Sequence, residues 1–229
     1  MDETTSSSPS PRSVDGGRGV SWWSDAWTLF TKQPGMWVVF GLILMVLFGI
    51  MGVVPLLGSL AASLLAPVFA GSWMMAARKV DAGGELQIDD LFAGFRQKLV
   101  PLLTLGALLL AAMVAIGVVV GMMGFGAAMG VMMGGSARSA GGMAAAMGAG
   151  MLGMLVALAL AALVAMAMWF APTLVVFRGV APVDALKASF DASLKNIVAF
   201  LLYGVLYLVA AVVASIPFGL GWVVLVPLM

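Results

Sequence analysis

Charge and hydrophobicity alternate along this chain in long blocks. No charged residue occurs between Gln33 and Ala77, and further uncharged apolar runs extend from Leu99 to about Val120, from about Gly153 to Phe177 and from Ile197 to Met229. A helix needs about 20 mostly apolar residues to cross about 30 Å of hydrocarbon, so the first run is too long for one crossing and suits two. Pro55 and Gly58 divide it with a tight turn, and Pro217 divides the last run in the same way. The pattern predicts spans at about 36–54, 59–77, 99–120, 153–177, 197–214 and 216–229. The sixth holds only about 14 residues, so six crossings with the last cut short is the expected architecture.

Three shorter segments carry helical rather than continuous apolar patterning. Ile88, Leu91, Phe92, Phe95 and Leu99 share one face, with Asp89, Asp90, Arg96 and Gln97 off it. Val183, Leu186, Phe190, Leu194 and Ile197 do the same opposite Asp184, Lys187, Asp191 and Lys195, with Lys187–Asp191 and Asp191–Lys195 spaced as i,i+4 pairs. Near the N-terminus, Trp22, Trp23, Ala26, Trp27 and Phe30 face away from Ser24, Asp25, Thr28 and Lys32. Tryptophan suits the headgroup level of a bilayer, so Trp22, Trp23 and Trp27 are expected to act as interfacial anchors.

These pieces recur as amphipathic helix, span, turn and return span, which predicts a threefold internal repeat of parallel units. The return spans share an apolar pair around proline: Leu65-Ala66-Pro67-Val68-Phe69, Phe170-Ala171-Pro172-Thr173-Leu174 and Leu225-Val226-Pro227-Leu228-Met229. Pro55, Pro67, Pro172, Pro217 and Pro227 are therefore expected to interrupt or bound the spans.

Composition agrees with an all-α, polytopic membrane protein. Hydrophobic residues make up 63% of the chain and charged residues 9%, with a mean hydropathy of +1.14, far from the roughly 25% charged of soluble domains. Ten of the eleven Lys and Arg residues precede spans one, three and five, and only Arg138 falls in the other connections. Cytoplasmic loops carry this excess, so the expected arrangement is a multi-pass membrane protein with a cytoplasmic N-terminus. Residues 1–20, rich in Ser, Pro and Gly, read as a disordered cytoplasmic tail, and residues 21–229 as one membrane domain. The Gly- and Met-rich stretch 121–150 reads as a periplasmic loop, because glycine frequency disfavours helix.

The stretches Leu91 to Leu103, Trp169 to Asn196 and Ser215 to Met229 resemble a family of proteobacterial inner-membrane proteins of uncharacterised function, and the likeness covers most of the chain from Trp22 onward. That family is more distantly similar to the membrane domain attached to some glycerophosphodiester phosphodiesterases. The resemblance implies a shared membrane fold, and a fold does not carry chemistry with it.

Little in the sequence points to catalysis. There is no cysteine or histidine, so disulfides, thiol nucleophiles and the usual near-neutral proton carrier are excluded. The spans contain no ionisable Asp, Glu, Lys or Arg to mark a proton path. Ser59, Ser63, Ser72 and Ser215 have no base beside them and suit helix packing instead. Nine methionines between Met122 and Met154 offer soft sulfur to Cu(I), but no imidazole or thiolate reinforces them, so no metal or cofactor is assigned. A net charge of +1 argues against nucleic acid. Membrane lipids are the expected partners, and Gly and Ala faces allow a homo-oligomer or a membrane-protein partner. Candidate lipid-headgroup contacts are Arg78, Lys79, Arg96, Lys98, Lys187 and Lys195, because bases at a membrane surface attract anionic lipid. The expected function is a non-catalytic membrane module that organises lipid or partner proteins. The alternative is a small transporter, channel or transporter subunit, in which the Pro67 and Pro172 spans line a path.

Overall fold

The computed structural model describes residues 11–133, 139–216 and 221–228, and all regular structure among them is helical. An amphipathic helix α1 (Arg18–Lys32) leads into α2 (Pro34–Val53) and the return helix α3 (Leu57–Asp81). A 3₁₀ turn η1 (Ile88–Phe92) and α4 (Ala93–Gln97) precede the long α5 (Leu99–Met133), which pairs with α6 (Ala140–Trp169) and its continuation α7 (Ala171–Arg178). Then follow the amphipathic α8 (Pro182–Lys195), α9 (Ile197–Ser215) and α10 (Trp222–Leu228). Five helical stretches are long and apolar enough to cross a membrane: Pro34–Val53, Leu57–Asp81, Leu99–Met133, Gly141–Arg178 and Ile197–Ser215.

Each short helix meets the following span at a single non-helical residue. Gln33, Lys98 and Asn196 have φ values of −147°, −141° and −118°.

Several expectations change. The described residues of the Gly- and Met-rich stretch are helical rather than a loop, apart from Ser139: α5 runs on to Met133 and α6 begins at Ala140, while residues 134–138, Arg138 included, lie outside the described residues. Alanine, methionine and leucine are strong helix formers and offset the glycines, and in apolar surroundings a backbone outside a helix would leave its polar groups unpaired. At about 1.5 Å per residue the 35 residues of α5 extend about 52 Å, well beyond a bilayer core. Pro67 does not break its span. It is buried inside a continuous α3, and the helix survives its missing donor because Val68, Phe69 and Ser72 next to it are held in the core. Pro227 likewise lies within α10, Pro172 does interrupt, opening α7 after a break at Phe170, and Pro217 lies outside the described residues. The segment around Ile88 is split between η1 and α4 instead of forming one helix. The expected disorder of the tail meets a different picture for its described part: α1 starts at Arg18, and residues 11–14 are hydrogen-bonded to the α8/α9 junction.

The turn at Pro55 is tight for a visible reason. Leu57 donates to the Pro55 carbonyl at 2.7 Å around Leu56, whose φ of +62° is uncommon for a side chain with a Cβ. Gly58 follows because any Cβ there would run into the backbone of Met51. With that reversal α3 returns directly along α2.

Burial is concentrated at the end of the bundle where the short helices lie, here called the basic end. Trp37, Phe40, Phe69, Ala76, Val80, Leu86 and Leu91 form one apolar cluster, and Val68, Leu102, Leu105, Ala171, Val175 and Ala185 another. Buried serines knit these clusters together. Ser72 accepts from the Gly94 N–H at 2.8 Å and donates to the Val68 carbonyl at 3.1 Å, tying α3 to α4. Ser189 of α8 stands in the α6/α7 break, accepting from the Phe170 N–H at 3.0 Å and donating to the Met166 carbonyl at 2.9 Å. Those two groups would bond each other in an unbroken helix, so the hydroxyl repairs the ladder that Pro172 ends.

Candidate functional site

The six bases expected at lipid headgroups are sorted by the fold into different situations. Lys79 pairs with Asp90 at 2.8 Å, and the same carboxylate accepts from the Gln87 N–H, so this charge is used in closing the loop before η1. Arg96 reaches Asp89 at 2.7 Å, and Lys187 lies 3.8 Å from Asp184 rather than meeting Asp191. Lys195 donates to the Pro11 carbonyl at 3.4 Å, and Lys98 sits at the α4/α5 junction. Arg78 lines a sizeable cavity and carries no carboxylate partner among the described residues. Its guanidinium lies 4.8 Å from the centre of the Phe177 ring, a cation–π contact that leaves its donors free.

That cavity, of about 620 Å³, is bounded by Asp25, Thr28 and Lys32 of α1, by Met74, Ala77, Arg78 and Asp81 of α3, and by Phe177 of α7. Its rim is balanced in charge, with Lys32 and Asp81 3.5 Å apart across it. Both of those side chains are well exposed, so this pair is worth little to stability.

A second cavity of about 290 Å³ lies deeper, between α2, α3 and α10, and is lined by Leu44, Phe48, Ala66, Phe69, Ala70, Trp73, Met74 and Val226. Met74 borders both. Ala66, Ala70, Met74, Ala77 and Arg78 follow one another along one side of α3, so the charged cavity and the apolar one lie in succession along that side, with Met74 between them. From Ala66 to Arg78 the helix rises about 18 Å, close to the reach of an extended acyl chain.

The sequence singled out Arg78 but not Lys32, Asp25 or Phe177. The available signal was the small-residue spacing of Ala66, Ala70 and Ala77; what places α1 and Phe177 over that stripe is tertiary packing. The tryptophans expected as interfacial anchors make ring contacts within the bundle. Trp22 packs edge-on to Phe200 at 5.6 Å and Trp23 stacks on Tyr203 at 5.3 Å, fastening α1 to α9, whereas Trp27 is half-exposed beside Phe30. Between the spans of Pro67 and Pro172, the cluster of Val68, Leu102, Leu105, Ala171 and Val175 is packed apolar core. Among the described residues, no three acidic groups are placed to hold a metal ion.

Over residues 24–228 the chain matches the family described as Domain of unknown function (DUF7847), and it belongs to that family. It is 32% identical over 207 residues to a protein of Burkholderia thailandensis described as a probable inner membrane protein, a match covering 89% of this chain and 76% of that relative. No solved structure matches. Together with the apolar helices, this makes the chain a transmembrane protein of the inner membrane.

Proposed function

We propose that this member of the DUF7847 family is a non-catalytic membrane module that holds a phospholipid at its basic end. The headgroup lies in the cleft of Arg78 and Lys32, and one acyl chain runs down α3 past Met74 into the slot between α2 and α10. The observation that carries this reading is Met74, which borders both the charged cleft and the apolar slot along one side of α3. Lipid is the amphiphile whose two parts match that order of surfaces. The packed cluster between the Pro67 and Pro172 spans supports a module over a transporter, because a translocation path would need a polar cavity there.

The same reading takes the fold as six crossings in three units, with the basic end in the cytoplasm. Supporting it, η1 and α4 pack on the return helix α3 and α8 packs on α6 and α7, so these two interfacial helices rest on the return span of the unit before them, while α1 packs chiefly on α9 and also touches α10. The equivalent junctions at Gln33, Lys98 and Asn196 fit the same scheme. A scaffold of this kind is what a kinship with the membrane domain of glycerophosphodiester phosphodiesterases would preserve.

The test is lipid retention. Protein purified in mild detergent is expected to carry phospholipid detectable by mass spectrometry, and Ala70→Trp, which fills the slot, is expected to lower the retained amount about tenfold while helicity is unchanged. Equal retention by the variant and the parent protein would remove the slot from the proposal.

A further inference from the structure

The N-terminal tail and the α7/α8 corner enclose a third cavity, and its chemistry differs from that of the Arg78 cleft. Asn196, at the non-helical junction between α8 and α9, holds the tail in place with its side-chain amide. Its Oδ1 accepts from the Val14 N–H at 2.7 Å, and its Nδ2 donates to the carbonyls of Arg12 at 3.0 Å and Ala192 at 2.8 Å. Lys195 adds a bond to the Pro11 carbonyl. A segment with no helix or sheet of its own is thus fastened to a site 182 residues away in the chain.

Under this strap lies a cavity of about 300 Å³ whose charged lining residues are Arg12 from the tail and Arg178 from the end of α7. Thr173 and Asn196 add polar groups, and Trp22, Phe170 and Leu174 form apolar walls. No carboxylate lines it, and neither arginine has an ion pair among the described residues. The Arg78 cleft sets two bases against two acids, whereas both charged residues lining this small, mostly apolar space are arginines. Guanidinium groups match phosphate oxygens in pairs, and the apolar walls suit a ligand with hydrocarbon attached.

We propose that this cavity is a second lipid site, selective for an anionic glycerophospholipid. Arg12 and Arg178 clamp its phosphate, and the bound lipid pins the tail to the α7/α8 corner. The site stands apart from the Arg78 cleft and does not depend on it. Order in the tail becomes a readout of anionic lipid in the cytoplasmic leaflet, because the arginine that closes the site is itself in the tail.

The experiment uses the full chain in nanodiscs made either of phosphatidylethanolamine alone or of a mixture with phosphatidylglycerol. Trypsin cleavage after Arg12 and Arg18 measures tail order, and native mass spectrometry measures bound lipid. Phosphatidylglycerol is expected to slow tail cleavage about tenfold and to be retained in preference to phosphatidylethanolamine, in line with charge-assisted hydrogen bonds from two arginines. Arg178→Gln is expected to abolish both effects while lipid in the Arg78 cleft is kept. Arg12→Gln lies outside every helix, cannot unfold the bundle, and is expected to lose the preference for phosphatidylglycerol as well. Equal tail cleavage in the two kinds of nanodisc overturns the proposal, and so does an undiminished lipid preference in both variants. Full protection by inorganic phosphate without anionic lipid also overturns it, assigning the pocket to a free anion. A loss of lipid in Ala70→Trp with the trypsin response intact separates the fate of this site from that of the first.

Discussion

Glycine has opposite meanings in the two halves of this molecule. At the basic end, a Cβ on Gly94 would come within 2.8 Å of the Ser72 hydroxyl, one on Gly71 within 2.7 Å of the Leu102 side chain, and one on Gly106 within 2.7 Å of the Leu64 Cα. Along the far part of the α5/α6 hairpin, Gly121, Gly124, Gly126, Gly130, Gly148 and Gly150 have open space where a Cβ would be. The same residue type is a packing requirement in one place and a composition habit in the other. In a bilayer no hydrophobic effect draws helices together, so close backbone approach and buried hydroxyl bonds supply the association. They are present where α3 meets α4 and α5, whereas the buried residues of α6 among those described are two glycines, Gly142 and Gly153.

The contrast can be broken most sharply at Gly106. Gly106→Val pushes two methyl groups and a Cβ into the backbone of α3, and is expected to destabilise the protein by about 2 to 3 kcal/mol, read as a lower thermal unfolding midpoint in nanodiscs. An unchanged midpoint would mean that the α3/α5 crossing contributes little. Next in size is Ser189→Ala, which leaves the Phe170 N–H without its partner. The expected loss is about 1 to 3 kcal/mol, with faster hydrogen exchange at Phe170 as the local signature. The smallest effect has the opposite sign. Gly126→Ala, in open space within α5, is expected to raise stability by up to about 1 kcal/mol through helix propensity, seen as increased helicity and a slightly higher midpoint. Destabilisation there would show that the far half of the hairpin is packed after all.

Much of the fold was legible along the chain, and some of the site was. The uncharged runs located the spans, with boundaries at Ile197 and Leu99 matching the helix starts, because hydrocarbon thickness sets how many apolar residues must follow one another. The stretch 121–150 misled, since glycine frequency is a local signal and the helix there is sustained by alanine, methionine and a partner helix. Pro67 misled for a related reason: it forbids one hydrogen bond, and tertiary contact around it decides whether the helix stops.

Among the bases, the sequence by itself determined which lie at the basic end, because charge is expelled from hydrocarbon wherever the chain folds. It also determined the amphipathic faces of α1 and α8, since periodicity is a property of the chain. Only the tertiary structure decided that Lys79 and Arg96 are occupied by Asp90 and Asp89, while Arg78 lines a cleft that shares Met74 with an apolar slot. It alone put Arg12 and Arg178 on the lining of one cavity, through an asparagine amide that no spacing rule connects to the tail. The physical reason is common to both cases: hydrophobic patterning acts between each residue and the solvent around it, but pairing of charges and amides acts between residues distant in the chain and exists only once the helices have met.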